Sequence, residues 1–438
     1  MTHVKDASQG DPAGRREVAL PTADAGWAHS GPAVSFMLER QRAISRERGE
    51  MAQAQPKPAA GGDRGHDGDA PGFRFFDNRQ KYLLFVTTTD EKQRTAERIS
   101  DELMHLRPRP PALRLFDAGT GDGTVLSMVL RGLHQRYPTV PFSAVAKEIS
   151  GEDVRLALQK MADRLVEHPQ TVLTFTNMLY SEAPWLRPRN AEDEGRIAWR
   201  EVPLTGTSAH EIDAQIQAQA DFVREAWATR TSPTTGNPVY ARPAVLVFYR
   251  ADQRFVLDSV IPRLDATPQP YDLSIASQPF RARLPAEKKV RNVLVPLARA
   301  LAPSGRLIVV QSTGRDPGMQ IVRAVWPDEA PFMTPRHLLI GALSDTLGGG
   351  FHVPAPEEQP DQSTFTYGLQ LGTRELDSAI GTSTLLAAWN AAVYVAQIDD
   401  RRLTEAITAG HYLQATKDVL QRHGGLWFEN EAFTIVRR

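Results

Sequence analysis

The chemistry in this sequence is concentrated around LRLFDAGTGDGTVL, residues 113–126, where an apolar run ends at Asp117 and glycines follow at 119, 121 and 123. Apolar residues then resume at helical spacing. Glycines remove Cβ atoms, so a turn of this kind lets a ligand lie against bare backbone, and it accepts backbone angles closed to other residues. Asp117 adds local negative charge. A dinucleotide fingerprint would need a third glycine where Thr124 stands, and a phosphate-gripping loop would need Gly-Lys-Ser/Thr, which does not follow. Surface turns also use glycine for conformational reasons alone.

Other candidates lie at the ends of later apolar runs: Glu148 after PFSAVAK, Asn177 and Met178 after TVLTFT, and Ser277, Gln278 and Phe280 after YDLSIA. A cationic run follows at Arg281, Arg283, Lys288, Lys289 and Arg291. It reads either as a solvated helix start or as a clamp for a carboxylate, which guanidinium groups bind through two parallel hydrogen bonds.

The alternate-glycine turn with Asp117 ending its strand resembles motif I of the class I S-adenosylmethionine-dependent methyltransferases. The resemblance implies S-adenosyl-L-methionine (AdoMet) as cofactor, held around Asp117, Gly119, Thr120, Gly121, Asp122 and Gly123. It implies that Glu148 takes the ribose hydroxyls, since a carboxylate offers two acceptor oxygens to a diol. It places Asn177 and Met178 beside the adenine, although an Asn there also suits a plain turn. Ser277 and Gln278 become positioning groups for the methyl acceptor, with Phe280 and Arg281 beside it and Asp272 structural. The helix, Pro/Gly turn and strand of LARALAPSGRLIVVQ match the next landmark.

The elements that must position these residues alternate. TTTDEKQRTAERISDELMHL carries Thr88 and Glu91 at capping-box spacing and precedes the first strand, ALRLFDAG. Val125, Val129, Leu130 and Leu133 give the next helix one face, and Val154, Leu158, Met161 and Leu165 give a stripe to another. A helix from PAEKK stopping at Gly305 and the strand RLIVVQST follow, then STFTYGLQLG and GLWFENEAFTIVRR as closing strands. The expected fold is α/β: a seven-stranded Rossmann-like methyltransferase sheet with helices on both faces. Two insertions, at about 180–268 and 372–424, are expected to cap the site as helices. The first holds a Ser208–Glu211 capping box and the apolar strand PAVLVFYR. The cap would contribute Tyr249, Arg250 and Asp252, and Asn390 and Tyr394, with Trp389 in the core.

Residues 1–72 are rich in Gly, Pro, Ala, Asp and Arg and are expected to form a disordered tail. Within it, Val34, Met37, Leu38 and Ile44 could line one short amphipathic helix. The 438 residues carry net charge −1, so no global field gathers nucleic acid or anionic membrane. There is no cysteine, which excludes disulfides and thiolate chemistry and suits a reducing cytoplasm. No apolar run approaches the roughly 18 residues of a membrane span, and His210, His337, His352 and His411 show no metal-site spacing. A cytoplasmic small-molecule methyltransferase is the expectation, with no metal and an open oligomeric state. The chain is also similar, in length and insertions, to the bacterial enzymes that esterify hydroxy fatty acids into methyl-ester signals. A protein or RNA methyltransferase and a non-catalytic AdoMet-binding regulator are the alternatives.

Overall fold

The computed structural model describes residues 79–233, 238–266, 268–355, 363–371 and 380–438. The chain divides into two units, Met1–Gly68 and Asp69–Arg438, and the described residues belong to the second. The expected tail and its short helix therefore lie outside them, as does 372–379 of the second insertion.

Two helices lead in, α1 (Arg79–Thr88) and α2 (Glu91–Ser100). Asp90, not Thr88, is the N-cap of α2, and the Thr88 hydroxyl bonds back to Leu84 O within α1. Then come β1 (Leu113–Asp117), α3 (Thr124–Arg136), β2 (Phe142–Lys147), α4 (Gly151–Leu158), α5 (Ala162–Glu167) and β3 (Thr171–Thr176). The stripe Val154, Leu158, Met161, Leu165 is fully buried, but two short helices share it. Strands β1, β2 and β3 are buried along their whole length, which is why they read as continuous apolar runs instead of alternating ones.

The first insertion contributes β4 (Ala198–Leu204), α6 (Ala209–Gln217), α7 (Ala220–Ala226), a hairpin of β5 (Thr229–Thr231) and β6 (Pro238–Tyr240), and β7 (Ala244–Arg250). The Ser208–Glu211 capping box forms as expected. Next are β8 (Tyr271–Ser277), α8 (Ala286–Lys289), a π-helical turn Val290–Leu294, α9 (Val295–Arg299) and β9 (Leu301–Ser312). Gly305 thus lies inside β9 and does not stop the helix, which ends at Arg299. A Cβ at Gly305 would stand 2.5 Å from Tyr271 O, so its bareness serves strand approach. The chain closes with α10 (Pro317–Val325), α11 (Arg336–Leu347), β10 (Phe351–His352), β11 (Thr364–Gly368), α12 (Thr382–Val395), α13 (Asp400–Ala409), α14 (Tyr412–His423) and β12 (Trp427–Arg437).

The sheet runs β10-β12-β9-β8-β1-β2-β3-β7-β4, with β11 also paired to β12. Its centre, β9-β8-β1-β2-β3, is parallel and reverses strand order beside β1, the place where doubly wound sheets bind ligands. β12 is antiparallel to β9. This is a Rossmann-like, doubly wound sheet with helices on both faces and ten strands where seven were expected. β4 and β7 extend it beyond β3, and β10 and β11 share one edge of β12.

Leu115 of β1 packs with Leu126, Leu130, Val154 and Met161 on one face, while Phe116 packs with Val290, Leu294, Leu297 and Ile340 on the other. Each fully buried side chain of this size contributes about 1.5–3 kcal/mol. Asp272 is structural, as expected: its Oδ2 accepts the backbone N–H of Arg114 at 2.8 Å.

The first insertion builds onto the sheet and also reaches the cavity described below, at Tyr180 and Pro238. Its strands continue the sheet, and α6 and α7 pack beside α5 and α4. From the end of α7, Trp227 Nε1 donates to the carbonyl of Glu148 at 2.8 Å.

Candidate functional site

The C-terminal ends of β1, β2 and β8 lie side by side, with Asp117 registered against Ala146 and Ile275. Above them α1 and the end of α12 line a cavity of about 420 Å³. Gly119, Gly121 and Glu148 form one side. Ser277, Gln278, Phe280 and Arg281 form another, and Arg79, Tyr82, Phe85 and Tyr394 cover them.

Glu148 is tied to the glycine turn. Its Oε2 accepts the N–H of Gly121 at 2.9 Å, and its Oε1 accepts those of Ile149 and Ser150 at 2.7 and 3.0 Å. Two residues of the turn need glycine for different reasons. Gly121 has φ +55°, and a Cβ there would stand 2.8 Å from the Tyr82 hydroxyl. Gly123 has φ +77°, and a Cβ would meet Ala157 of α4 at 2.7 Å. Gly119 meets no atom within 4 Å at its Cβ position and faces the cavity.

Asp117 sits behind the turn, 3% exposed, and its Oδ2 is buried without a hydrogen-bond partner. Burial pushes Asp117 up to about 7; the neighbouring Thr120 hydroxyl and Lys92 oppose the shift and Glu148 adds to it.

Several expected contacts fall elsewhere. Asp122 and Gly123 point away from the cavity. Asp122 accepts from the Thr124 hydroxyl at 2.6 Å, pairs with Lys160 at 3.3 Å and bonds Tyr82, while Gly123 gives room to α4. Thr120 is buried, its N–H donated to Lys147 O at 3.1 Å. Asn177 is also a correction: its Nδ2 donates to Ala226 O and Arg242 O at 3.0 Å each, and its Oδ1 accepts Ala244 N at 2.8 Å. It therefore anchors the first insertion, and it does not line the cavity. Met178 is 0% exposed in the core.

Tyr249 and Arg250 sit at the far end of the sheet, because β7 runs antiparallel to β3 and its C-terminus meets the start of that strand. Tyr249 donates to Glu201 at 2.5 Å, and Arg250 pairs with Asp252. Asn390 donates to Lys81 O at 3.0 Å and fastens α12 to α1; Tyr394, one turn on, and Val395 are the described α12 residues that line the cavity. Trp389 is core, stacked on Trp326. Of the cationic run, Arg281 reaches the cavity and Lys289 is buried, whereas Lys288 and Arg291 are exposed and Arg283 pairs with Glu329.

The lid is what sequence reasoning missed. Tyr82 donates to Asp122 Oδ1 at 3.3 Å and accepts the Asp122 N–H at 3.1 Å. Arg79 reaches Ser150 at 3.1 Å and Asp153 at 3.0 Å. Lys147, whose pKa burial lowers, lies 4.6 Å over the Tyr180 ring. Among the described residues no cluster of three or more His, Cys, Asp or Glu could hold a metal, and no helix is long and apolar enough to cross a membrane.

No protein-family profile and no curated protein matches the chain. Solved structures do. A candidate sarcosine dimethylglycine methyltransferase from Galdieria sulphuraria shares 10% identity over 78% of this chain and 85% of its own, with TM-score 0.33. Geranyl diphosphate methyltransferase with GPP and sinefungin shares 14% over 78% of each chain, with TM-score 0.30. Haemonchus contortus phosphoethanolamine N-methyltransferase 2 with AdoMet shares 10% over 84% of this chain and 60% of its own, with TM-score 0.30. At these values the fold and the chemistry of the chain rest on its own strand order and residues.

Proposed function

We propose that the protein is an AdoMet-dependent methyltransferase acting on a small-molecule acceptor, with carboxyl O-methylation of a fatty or hydroxy acid as the finer reading. The observation that carries it is the Glu148–Gly121 contact at 2.9 Å on the side of a cavity at the switch point of the sheet. The residues present suit this cofactor. Gly119 offers bare backbone, Glu148 keeps acceptor capacity beyond its three N–H partners for a ribose diol, and the orphaned Oδ2 of Asp117 offers negative charge to a cationic ligand.

When bound, the cofactor supplies a methyl group on a sulfonium for in-line displacement. The chain's part is alignment and exclusion of water. Tyr82, Phe85 and Tyr394 wall the cavity, and Ser277 and Gln278, which also line it, are the residues assigned to position the acceptor. Neither is a base, which suits an acceptor that is already an anion.

The test is calorimetry with AdoMet and S-adenosylhomocysteine, then incubation of the protein with methyl-labelled AdoMet and cell extract. Both nucleosides bind, and label enters the small-molecule fraction. Glu148→Gln weakens both by about tenfold or more, because its amide N–H₂ would face backbone donors that the carboxylate now accepts. Absence of binding, or label confined to protein or RNA, overturns the reading.

A further inference from the structure

Beside the cofactor cavity lies a larger one of about 630 Å³ that shares Gln278, Phe280 and Ser312 with it. A space of 420 Å³ is that of one drug-sized ligand, so a second reactant needs neighbouring room. Polar and apolar surface line the larger cavity in about equal measure, and its charges are unevenly matched. Arg315 pairs with Glu429 at 3.0 Å. Glu431 accepts from Gln311 Nε2 at 2.7 Å and from the Arg336 N–H at 2.8 Å.

Lys289 stands apart from these. It is 2% exposed, its Nζ donates to the Thr334 hydroxyl, and it lies 4.7 Å over the ring of Phe280, the wall common to both cavities. A hydroxyl and a ring face carry no counter-charge, Glu431 across the same cavity acts on the ammonium without pairing with it, and an ammonium has three hydrogens to donate. The seam itself is strained. Gln278 holds a left-handed φ of +49°, fixed by its N–H on Val310 O and its Nε2 on Ser312 Oγ at 2.9 Å, and strain of this kind clusters at active sites.

We propose that the larger cavity is the acceptor chamber and that Lys289 holds the carboxylate of a small polar acid there. The proposal deepens the methyltransferase reading and rests on it. Burial draws Lys289 down to about 8, with Glu431 opposing, so that at neutral pH it remains chiefly a cation awaiting an anion. Gln311, Ser312 and Thr313 around the cavity offer hydrogen bonds to the remaining polar groups of a short hydroxy or dicarboxylic acid.

The test uses the full chain saturated with S-adenosylhomocysteine, titrated with glycolate, succinate and benzoate and with their neutral amides. At least one carboxylate binds and its amide does not. Lys289→Met lowers that affinity by about tenfold or more, the worth of one charge-assisted hydrogen bond. Lys289→Arg keeps it within a few-fold, and nucleoside affinity is unchanged in both variants. A readout on the wild-type protein needs no variant: the bound carboxylate slows acetylation of Lys289, followed by peptide mass spectrometry. Nucleoside binding with no carboxylate binding overturns this proposal alone, as does full carboxylate affinity in Lys289→Met. Failure of the nucleoside itself to bind overturns the underlying reading.

Discussion

Asp117 ties the charge of the site to pH. Burial raises it to about 7, so the empty folded protein retains a proton that the unfolded chain would release. That contribution to stability is complete below the usual carboxylate range and is lost as pH rises through 7. A cationic ligand reverses the preference by favouring the ionised form. Thermal melts should therefore show a larger stabilisation by saturating AdoMet at pH 8 than at pH 6, with a smaller difference for the uncharged-sulfur product. Asp117→Asn should flatten the dependence. At this scale the sequence was half legible. A Gly-rich turn after an Asp announces a ligand, yet glycines at 119, 121 and 123 look alike in one dimension. Only the fold reveals that Gly119 and Gly121 line the cavity while Gly123 makes room for Ala157.

Among elements, the decisive contacts join segments far apart in sequence. Asn177 holds the chain at Ala226, Arg242 and Ala244, and replacing it with Ala leaves buried backbone groups unsatisfied at about 1–3 kcal/mol each. Asn177→Ala should lower the unfolding midpoint in denaturant by the equivalent of about 3 kcal/mol, while the folded fraction binds the nucleoside with wild-type affinity. A selective loss of nucleoside affinity would restore Asn177 to the adenine. The direction of β7 was invisible because a buried strand reads as the same apolar run either way, and that ambiguity carried Tyr249 and Arg250 to the wrong end. The α1 lid was invisible for another reason. Nothing local in RQKYLLFVTT marks Tyr82 as the partner of Asp122, and only the folded chain brings the two together.

For the molecule as a whole, the alternation of strands and helices was readable because each burial pattern has its own period, 3.6 for helices and near-continuous for parallel strands. The enlargement to ten strands was not, since an inserted strand pairs with whichever edge is open. The antiparallel course of β7 also means that the chain leaves it on the rim of the sheet opposite the reactive ends. After a short helix, Arg254–Leu257, the loop is exposed at Leu264 and Asp265, and such loop tips tolerate added sequence. A short peptide tag inserted between Leu264 and Asp265 should leave nucleoside affinity and melting temperature within error of the untagged protein, both measured side by side. That rim is then a ready place to immobilise the protein, or to attach a dye, and watch ligands come and go on the other.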